Sequence, residues 1–177
     1  MSDERVSFLR GRIRDVPDFP KEGIVFKDIT PLLASPEGFK QTIDVLADEY
    51  ADAVVTKVMG AEARGFIFGG ALAYRLGAGF VPARKPGKLP AAITSATYAL
   101  EYGTDTLEMH MDAIGPDDVV LIVDYVLATG GTASAKAELV SSVGARVAGF
   151  AFLIELDFLN GLKKLGDERI MSLIHVD

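Results

Sequence analysis

The chain contains no cysteine, no tryptophan and only two histidines among its 177 residues. Without cysteine there can be no disulfide, no thiolate zinc site and no cysteine nucleophile. The absence also fits a reducing compartment. Two histidines, His110 and His175, are too few for a polyhistidine metal centre. We expect both to be structural, because nothing near either one in the sequence suggests a ligand or a base.

Basic residues are in the minority. Lysine and arginine number 18 against 25 acidic residues, which gives a net charge of −7 and an isoelectric point of about 4.9. This balance argues against a nucleic-acid partner, since nucleic-acid binders normally present a basic surface. No apolar run reaches the roughly 20 residues of a membrane helix, and the charged start MSDERVSFLRGRIRD is unlike a secretory signal. We expect a cytoplasmic protein with no membrane association.

Apolar residues are abundant: they make up 49% of the chain and predict a packed core. The length suits one domain, residues 1–177. Helical and extended patterns alternate, which predicts an α/β fold with a mostly parallel sheet flanked by helices. The predicted helices are 3–14, 36–50, 65–76 and 132–143, and the predicted strands are 53–59, 78–84, 118–125 and 146–156, with a short helix and a strand at the end.

Two segments interrupt this alternation. Residues 16–33 contain Pro17, Pro20 and Gly23, and predict a loop with short extended pieces. Residues 85–117 predict a long loop followed by a hairpin. A loop of this size in a compact domain is usually a lid or a binding loop.

The stretch VLIVDYVLATGGTASA, residues 120–135, carries the clearest site signal. Its apolar run ends in Asp124 and is followed by the turn 128–132, Ala-Thr-Gly-Gly-Thr. The glycines let the backbone approach a ligand, the helix start favours an anion, and the threonines add hydroxyl donors. Glycines alone fit an ordinary strand-to-helix turn equally well. With Asp124 beside them they indicate hydroxyls or a metal next to a phosphate, as in ribose 5-phosphate.

Two further groups of charge follow predicted strands. The turn MGAEARGF, residues 59–66, places Arg64 where it could clamp a second phosphate, although the segment alone fits a surface Glu–Arg pair slightly better. Arg84, Lys85 and Lys88 form a local basic cluster after the strand 78–84. Two anion sites with a polyol between them suggest a sugar that carries phosphates at both ends.

These segments resemble the type I phosphoribosyltransferases. The stretch VVLIVDYVLATGGTASA is similar to the signature of that family, and PDFPKEGIVFKDIT and LEYGTDTLE are similar to its adenine branch. The resemblance extends in order over about residues 10–175. It implies the family fold, with a small N-terminal hood of about residues 1–35 and a flexible loop and hairpin of about residues 85–110. The implied reaction converts adenine and 5-phospho-α-D-ribose 1-diphosphate (PRPP) to AMP and diphosphate, with Mg²⁺, in a homodimer.

The resemblance also implies roles for individual residues. No residue is implied as a direct metal ligand, since Mg²⁺ would be carried by PRPP and diphosphate with Asp124 nearby. Asp124 would bind the ribose hydroxyls, and the mobile loop of about residues 88–107 would carry the catalytic Glu101 and Tyr102, with Arg64 as a third catalytic residue. The remaining substrate contacts would be Ala128, Thr129, Gly130, Gly131 and Thr132 for the 5′-phosphate, Glu62, Ala63, Arg64, Arg84, Lys85 and Lys88 for the diphosphate, and Val25, Phe26 and Lys27 for the purine, with Phe26 stacked on the ring.

One position departs from the family pattern, which has two adjacent acids where this chain has Asp124 and Tyr125. A phenol is neutral at pH 7 and offers one hydroxyl, so a carboxylate facing the sugar is lost. Either Asp124 suffices with weaker sugar binding, or the site is impaired. Because side chains alternate along a strand, Tyr125 could also point away and pack.

Three alternatives remain open at this stage. The chain could act on another 6-substituted purine, or could be an impaired regulator that binds PRPP or a nucleotide. It could also be an unrelated α/β protein, although several separated segments match the family in order.

Overall fold

The computed structural model of the protein describes residues 3–99 and 103–177. The chain forms two compact units, Met1–Val45 and Leu46–Asp177. The single domain 1–177 and the hood of about residues 1–35 stay predictions. In the described part of the chain, no helix has both the length and the apolar character that crossing a membrane requires.

The first unit contains a short antiparallel pair of strands. Helix α1, Asp3–Arg10, precedes strands β1, Arg14–Pro17, and β2, Val25–Asp28, which pair with each other. The predicted helix 3–14 is therefore too long, because a turn follows at Gly11 and the chain is extended from Arg14.

The loop predicted at 16–33 has its short extended pieces, but it ends in a helical turn that the sequence did not indicate. This turn, α2, is Thr30–Leu33, and the Asp28 carboxylate accepts a hydrogen bond of 2.9 Å from the Thr30 N–H. Helix α3, Pro36–Glu49, confirms the prediction at 36–50 and runs from the first unit into the second.

The second unit is built on five parallel strands. These are β3, Lys57–Ala61; β4, Gly79–Ala83; β7, Val119–Leu127; β8, Arg146–Leu156; and β9, Ile170–Val176. Their order in the sheet is β4-β3-β7-β8-β9. Helix α4, Arg64–Leu76, follows β3, and helix α5, Gly131–Ser142, follows β7. Strands β5, Ile93–Ala99, and β6, Thr104–His110, form a separate antiparallel hairpin. The predicted α/β fold with a mostly parallel sheet is confirmed.

Strand β7 is apolar because both faces of the sheet are covered. Val120 and Ile122 belong to the core that the sheet shares with α5 and the hairpin. Val123 lies toward α4, where it approaches Gly69. Strand alternation therefore turns Asp124 toward α5 and Tyr125 toward α4.

Two predicted strands of the second unit have wrong boundaries. Strand β3 begins at Lys57 instead of residue 53, because residues 50–53 form turns after α3. Strand β7 continues to Leu127 instead of stopping at Tyr125, because it keeps pairing with β8. The short helix and the strand predicted at the end are confirmed as a 3-10 helix, Gly161–Lys164, and β9. A second 3-10 turn, Asp157–Leu159, precedes them.

Candidate active site

A cavity of about 240 Å³ opens at the carboxyl ends of β3 and β7. The chain leaves β3 toward β4 on one side, and leaves β7 toward β8 on the other. Open parallel sheets characteristically bind ligands at such a switch in strand order. The cavity lining includes Ala61, Glu62, Lys85, Tyr98, Asp124, Tyr125 and every residue of the turn 128–132.

The turn 128–132 forms the start of α5. Gly130 precedes the helix with φ of 78°, in the left-handed region that favours glycine. A Cβ atom on Gly130 would also collide with the carbonyl oxygen of Gly161. At the other end of the turn, the Thr132 hydroxyl donates to Tyr98 Oη over 3.4 Å. The turn thus brings backbone N–H groups at a helix start and two hydroxyls to one wall of the cavity, which suits a phosphate.

Asp124 lines the same cavity, and its carboxylate already accepts two hydrogen bonds from the protein. Its Oδ2 accepts a hydrogen bond of 2.8 Å from the ammonium of Lys136, and its Oδ1 accepts one of 2.9 Å from the Tyr125 N–H. The sequence interpretation missed Lys136. A signal was present, because Ala133, Lys136 and Val140 fall on one face of α5 at helical spacing and all three are buried.

Tyr125 packs against the first residue of α4. The Arg64 guanidinium carbon lies 4.3 Å from the centre of the Tyr125 ring. Burial raises the pKa of the Tyr125 hydroxyl and the Asp124 charge raises it further, while Arg64 opposes both. The phenol is therefore neutral at pH 7. Tyr125 also borders the cavity, so it both packs and remains next to the ligand space.

Glu62 organises the basic residues at the opposite wall. Its carboxylate pairs with Arg84 Nη2 at 3.1 Å and accepts a hydrogen bond of 2.5 Å from the Lys85 N–H. Burial raises the pKa of Glu62, but these hydrogen bonds and the nearby cations outweigh burial and hold it below its ordinary value. Arg84 in turn donates to the carbonyl oxygen of Lys88 over 3.1 Å.

Lys85 connects this wall to the hairpin. Its ammonium forms an ion pair with Asp105 on β6, and the Tyr98 hydroxyl donates to the same carboxylate over 3.2 Å. Lys85 lines the cavity, whereas Ala63, Arg64, Arg84 and Lys88 do not line it in the described part of the chain. The peptide bond between Glu62 and Ala63 is cis.

The structure leaves the roles of two groups of predicted residues untested. Glu101 and Tyr102 lie outside the described residues. Val25, Phe26 and Lys27 belong to β2 in the first unit, where the Phe26 ring packs edge-on against Phe19 with centroids 5.2 Å apart. Lys27 Nζ lies 2.7 Å from an Asp15 carboxylate oxygen. The roles of these five residues stay predictions.

A second acidic group consists of Glu155, Asp157 and His175. The His175 Nδ1 lies 3.0 Å from an Asp157 oxygen and 3.9 Å from a Glu155 oxygen. Within residues 3–99 and 103–177, none of the three lines the cavity.

Comparison with known proteins identifies the family. Residues 28–169 match the phosphoribosyl transferase domain. The adenine phosphoribosyltransferase of Solibacter usitatus is 60% identical over 96% of this chain and 98% of its own. The crystal structure of adenine phosphoribosyltransferase from Rhodothermus marinus has a TM-score of 0.94 and 50% identity, covering 99% of this chain and 100% of its own. The Saccharomyces cerevisiae enzyme, complexed with an imino-altritol 1,6-bisphosphate and adenine, has a TM-score of 0.91 and 40% identity, covering 97% of this chain and 99% of its own. The chain therefore belongs to the type I phosphoribosyltransferase family and, within it, to the adenine phosphoribosyltransferases.

Proposed function

We propose that the cavity of the second unit binds PRPP and transfers its phosphoribosyl group to adenine, which gives AMP and diphosphate. One observation carries the proposal: the anion-binding turn 128–132 and the Asp124 carboxylate line the same cavity. A phosphate and the hydroxyls of the attached pentose can then be held at once. The related S. cerevisiae enzyme, complexed with a sugar-like bisphosphate and adenine, supports this choice of ligands.

At the phosphate end, the turn 128–132 holds the 5′-phosphate. Backbone N–H groups of the turn and of the first residues of α5 donate to the phosphate oxygens, and the helix start adds partial positive charge. The hydroxyls of Thr129 and Thr132 add two donors. Asp124 accepts hydrogen bonds from the ribose hydroxyls and so fixes C1′ in position for substitution.

At the opposite end, Lys85 binds the diphosphate. In the present structure the Lys85 ammonium pairs with Asp105, and the ligand takes the place of this partner. Glu62 holds Arg84 and the Lys85 backbone in place. Arg64 adds a second cation near the cavity. Negative charge grows on diphosphate as the C1′–O bond breaks, so cations fixed in place before the reaction stabilise the transition state more than the ground state.

The assignment of the residues that contact adenine rests on the sequence resemblance alone. Val25, Phe26 and Lys27 contact adenine, with Phe26 stacked on the ring. Glu101 takes the proton that N9 loses as it attacks C1′. The loop that contains Glu101 and Tyr102 closes over the cavity and excludes water, which would otherwise hydrolyse the donor.

The carboxylates of the cavity fit a magnesium ion that arrives with the donor. Asp124 and Glu62 each already pair with a protein cation, so few protein oxygens are available for a dedicated metal site. Mg²⁺ commonly keeps several waters and takes substrate phosphates plus one or two carboxylates. When bound, Mg²⁺ neutralises charge on the leaving diphosphate. Asp124 is the nearby carboxylate. The homodimer stays a prediction of the resemblance, and the cytoplasmic location stays a prediction from the composition of the sequence.

A purine panel tests the proposal. The purified protein is incubated with PRPP, Mg²⁺ and either adenine, hypoxanthine or guanine, and the nucleotide products are separated by chromatography. We expect AMP from adenine and no detectable product from the other bases. Product from hypoxanthine instead would favour the other-purine alternative, and PRPP binding without any product would favour the regulator.

A substitution in the turn tests the phosphate assignment. Thr129→Ala removes one hydroxyl donor at the rim and should raise KM for PRPP about tenfold, because a hydrogen bond to a charged group contributes about 1.5–3 kcal/mol. Ser141→Ala, an exposed position near the end of the same helix, is the matched control and should leave KM unchanged. Equal KM values for both variants would contradict the assignment.

A further inference from the structure

Lys136 is the only buried basic residue of residues 3–99 and 103–177, with a relative exposure of 0%. It lies on α5 among small and aliphatic side chains that pack against the sheet. Lysine is almost never fully buried unless its charge is paired, since taking an ammonium out of water is costly. The position therefore needs an explanation beyond the filling of space.

The ammonium of Lys136 has two oxygen acceptors. It donates to the Val123 carbonyl over 2.9 Å and to Asp124 Oδ2 over 2.8 Å. The pairing of β7 with β3 stops at Val123, so Lys136 binds β7 just where this neighbouring strand ends. Lys136 thus holds both the backbone and the carboxylate at the position where β7 enters the cavity.

The contacts of Asp124 leave part of its carboxylate available. The two oxygens of a carboxylate offer about four acceptor sites. One is used by Lys136 and one by the Tyr125 N–H. The Asp124 side chain is 12% exposed and lines the cavity, whereas Lys136 is outside the lining of the described chain. Lys136 therefore acts on a ligand through the groups it holds, the Asp124 carboxylate and the Val123 backbone.

We propose that Lys136 is a positioning residue for phosphoribosyl transfer, which holds the Asp124 carboxylate toward the ribose hydroxyls. The proposal rests on the proposed function, in which Asp124 binds those hydroxyls. It predicts that Lys136 contributes to the recognition of sugar hydroxyls and of no other part of the ligand.

The experiment compares two nucleotides, AMP and 2′,3′-dideoxy-AMP, which differ only in the sugar hydroxyls. Their Kd values are measured by calorimetry for the intact protein and for Lys136→Met. We expect Lys136→Met to weaken AMP about tenfold, the loss expected for a charge-assisted hydrogen bond, and to change the dideoxy nucleotide less than about twofold. In steady-state assays, KM for PRPP should rise while KM for adenine stays constant.

Val140→Ala is the matched control. Val140 is completely buried on the same helix, so its truncation destabilises α5 without touching Asp124. It should lower Tm and leave the ratio of the two Kd values at the wild-type value. If Lys136→Met weakens both nucleotides by the same factor, Lys136 has only a structural role and the proposal is overturned.

Lys136→Gln provides a second test if the methionine variant fails to fold. Its amide is polar, uncharged and one atom shorter, so it loses the charged hydrogen bond to Asp124 while remaining compatible with a polar pocket. The same selective loss of AMP affinity is expected, and an unchanged ratio overturns the proposal. If the wild-type protein binds neither nucleotide, the proposed function itself fails. If the wild-type protein binds AMP more tightly than the dideoxy nucleotide and Lys136→Gln shows the same preference, only the inference about Lys136 fails.

Discussion

The guanidinium carbon of Arg64 lies 4.3 Å from the centre of the Tyr125 ring, within the range of a cation–π interaction. Arg64 begins α4, and Tyr125 is the second residue of β7 beyond the end of its pairing with β3 at Val123. The chain thus has an aromatic ring beside a cation at the position where the family resemblance implies a second acid. In the proposed function, the sugar hydroxyls therefore depend on Asp124 for a carboxylate.

Restoring the acid should improve use of the donor. Tyr125→Asp adds a charged acceptor for a ribose hydroxyl and removes the ring from beneath Arg64. We expect kcat/KM for PRPP to rise about tenfold, since hydrogen bonds to charged groups contribute about 1.5–3 kcal/mol. Tyr125→Phe keeps the ring and serves as the control, with kcat/KM expected within about twofold of wild type. Equal activity of the two variants would show that the tyrosine has no functional cost.

The close approach of Gly161 to the turn 128–132 gives a second prediction. A Cβ atom on Gly161 would collide with the carbonyl oxygen of Ala128, which is backbone and cannot rotate away. Gly161→Ala should therefore displace the turn, raise KM for PRPP about tenfold and lower Tm, because overpacking commonly costs about 1–3 kcal/mol. Gly70→Ala is the control, since a Cβ atom there meets nothing within 4 Å. A normal KM in Gly161→Ala would mean that the turn tolerates the shift.

Asp118 should make stability depend on pH. The Gly115 N–H and the Thr56 hydroxyl donate to its carboxylate over 2.8 and 2.7 Å, and these bonds lower the pKa of Asp118. A lowered folded-state pKa gives stability that is present above the ordinary pKa of about 4 and is lost as pH falls through the folded value.

Asp118→Asn should therefore cost about 1 kcal/mol at pH 7 and much less at pH 3, as measured by thermal unfolding across that range. The exposed neighbour Asp117 provides the control, because Asp117→Asn should change the stability by the same amount at pH 7 and at pH 3. A cost for Asp118→Asn that is the same at both pH values would argue against a contribution from the ionised carboxylate.

Tyr50 provides a test of stability away from the cavity. Burial raises the pKa of its hydroxyl, which stays protonated and donates to the Phe150 carbonyl over 2.7 Å. Tyr50→Phe leaves that buried carbonyl with one donor fewer and should cost about 1.5 kcal/mol, or roughly 4 °C in Tm. Tyr74→Phe, at a side chain that is 91% exposed, should change nothing. Neither variant should alter kcat/KM; a large loss in Tyr50→Phe would link this region to catalysis.

Local patterns in the sequence were sufficient to predict the fold class and the position of the turn 128–132. The apolar run of β7 and the glycines after it are signals within one short segment, so the strand, the turn and the helix α5 were all predicted. The end of β7 was not predicted, because an acid and an aromatic residue after an apolar run are typical of the end of a strand. Pairing of Leu127 with Glu155 on β8 continues the strand, and that partner is distant in the sequence.

The contacts that tune the site were likewise beyond local patterns. Lys136 is 12 residues from Asp124, and its burial depends on how α5 packs on the sheet. Arg64 meets Tyr125 only because α4 and the end of β7 converge at the switch in strand order. Sequence alone left open whether Tyr125 packs or contacts the ligand. In the structure its ring packs against Arg64 and also lines the cavity.

Helix α5 begins at Gly131 in the turn 128–132 and carries Lys136, which donates a hydrogen bond to the Asp124 carboxylate. Five residues of a helix span about 7.5 Å and do not stretch. If the turn 128–132 binds the phosphate and Asp124 the sugar hydroxyls, as proposed, helix α5 fixes the distance between these two groups. A sugar phosphate whose hydroxyls lie one carbon farther from the phosphate should then bind more weakly, because it can reach only one of the two groups.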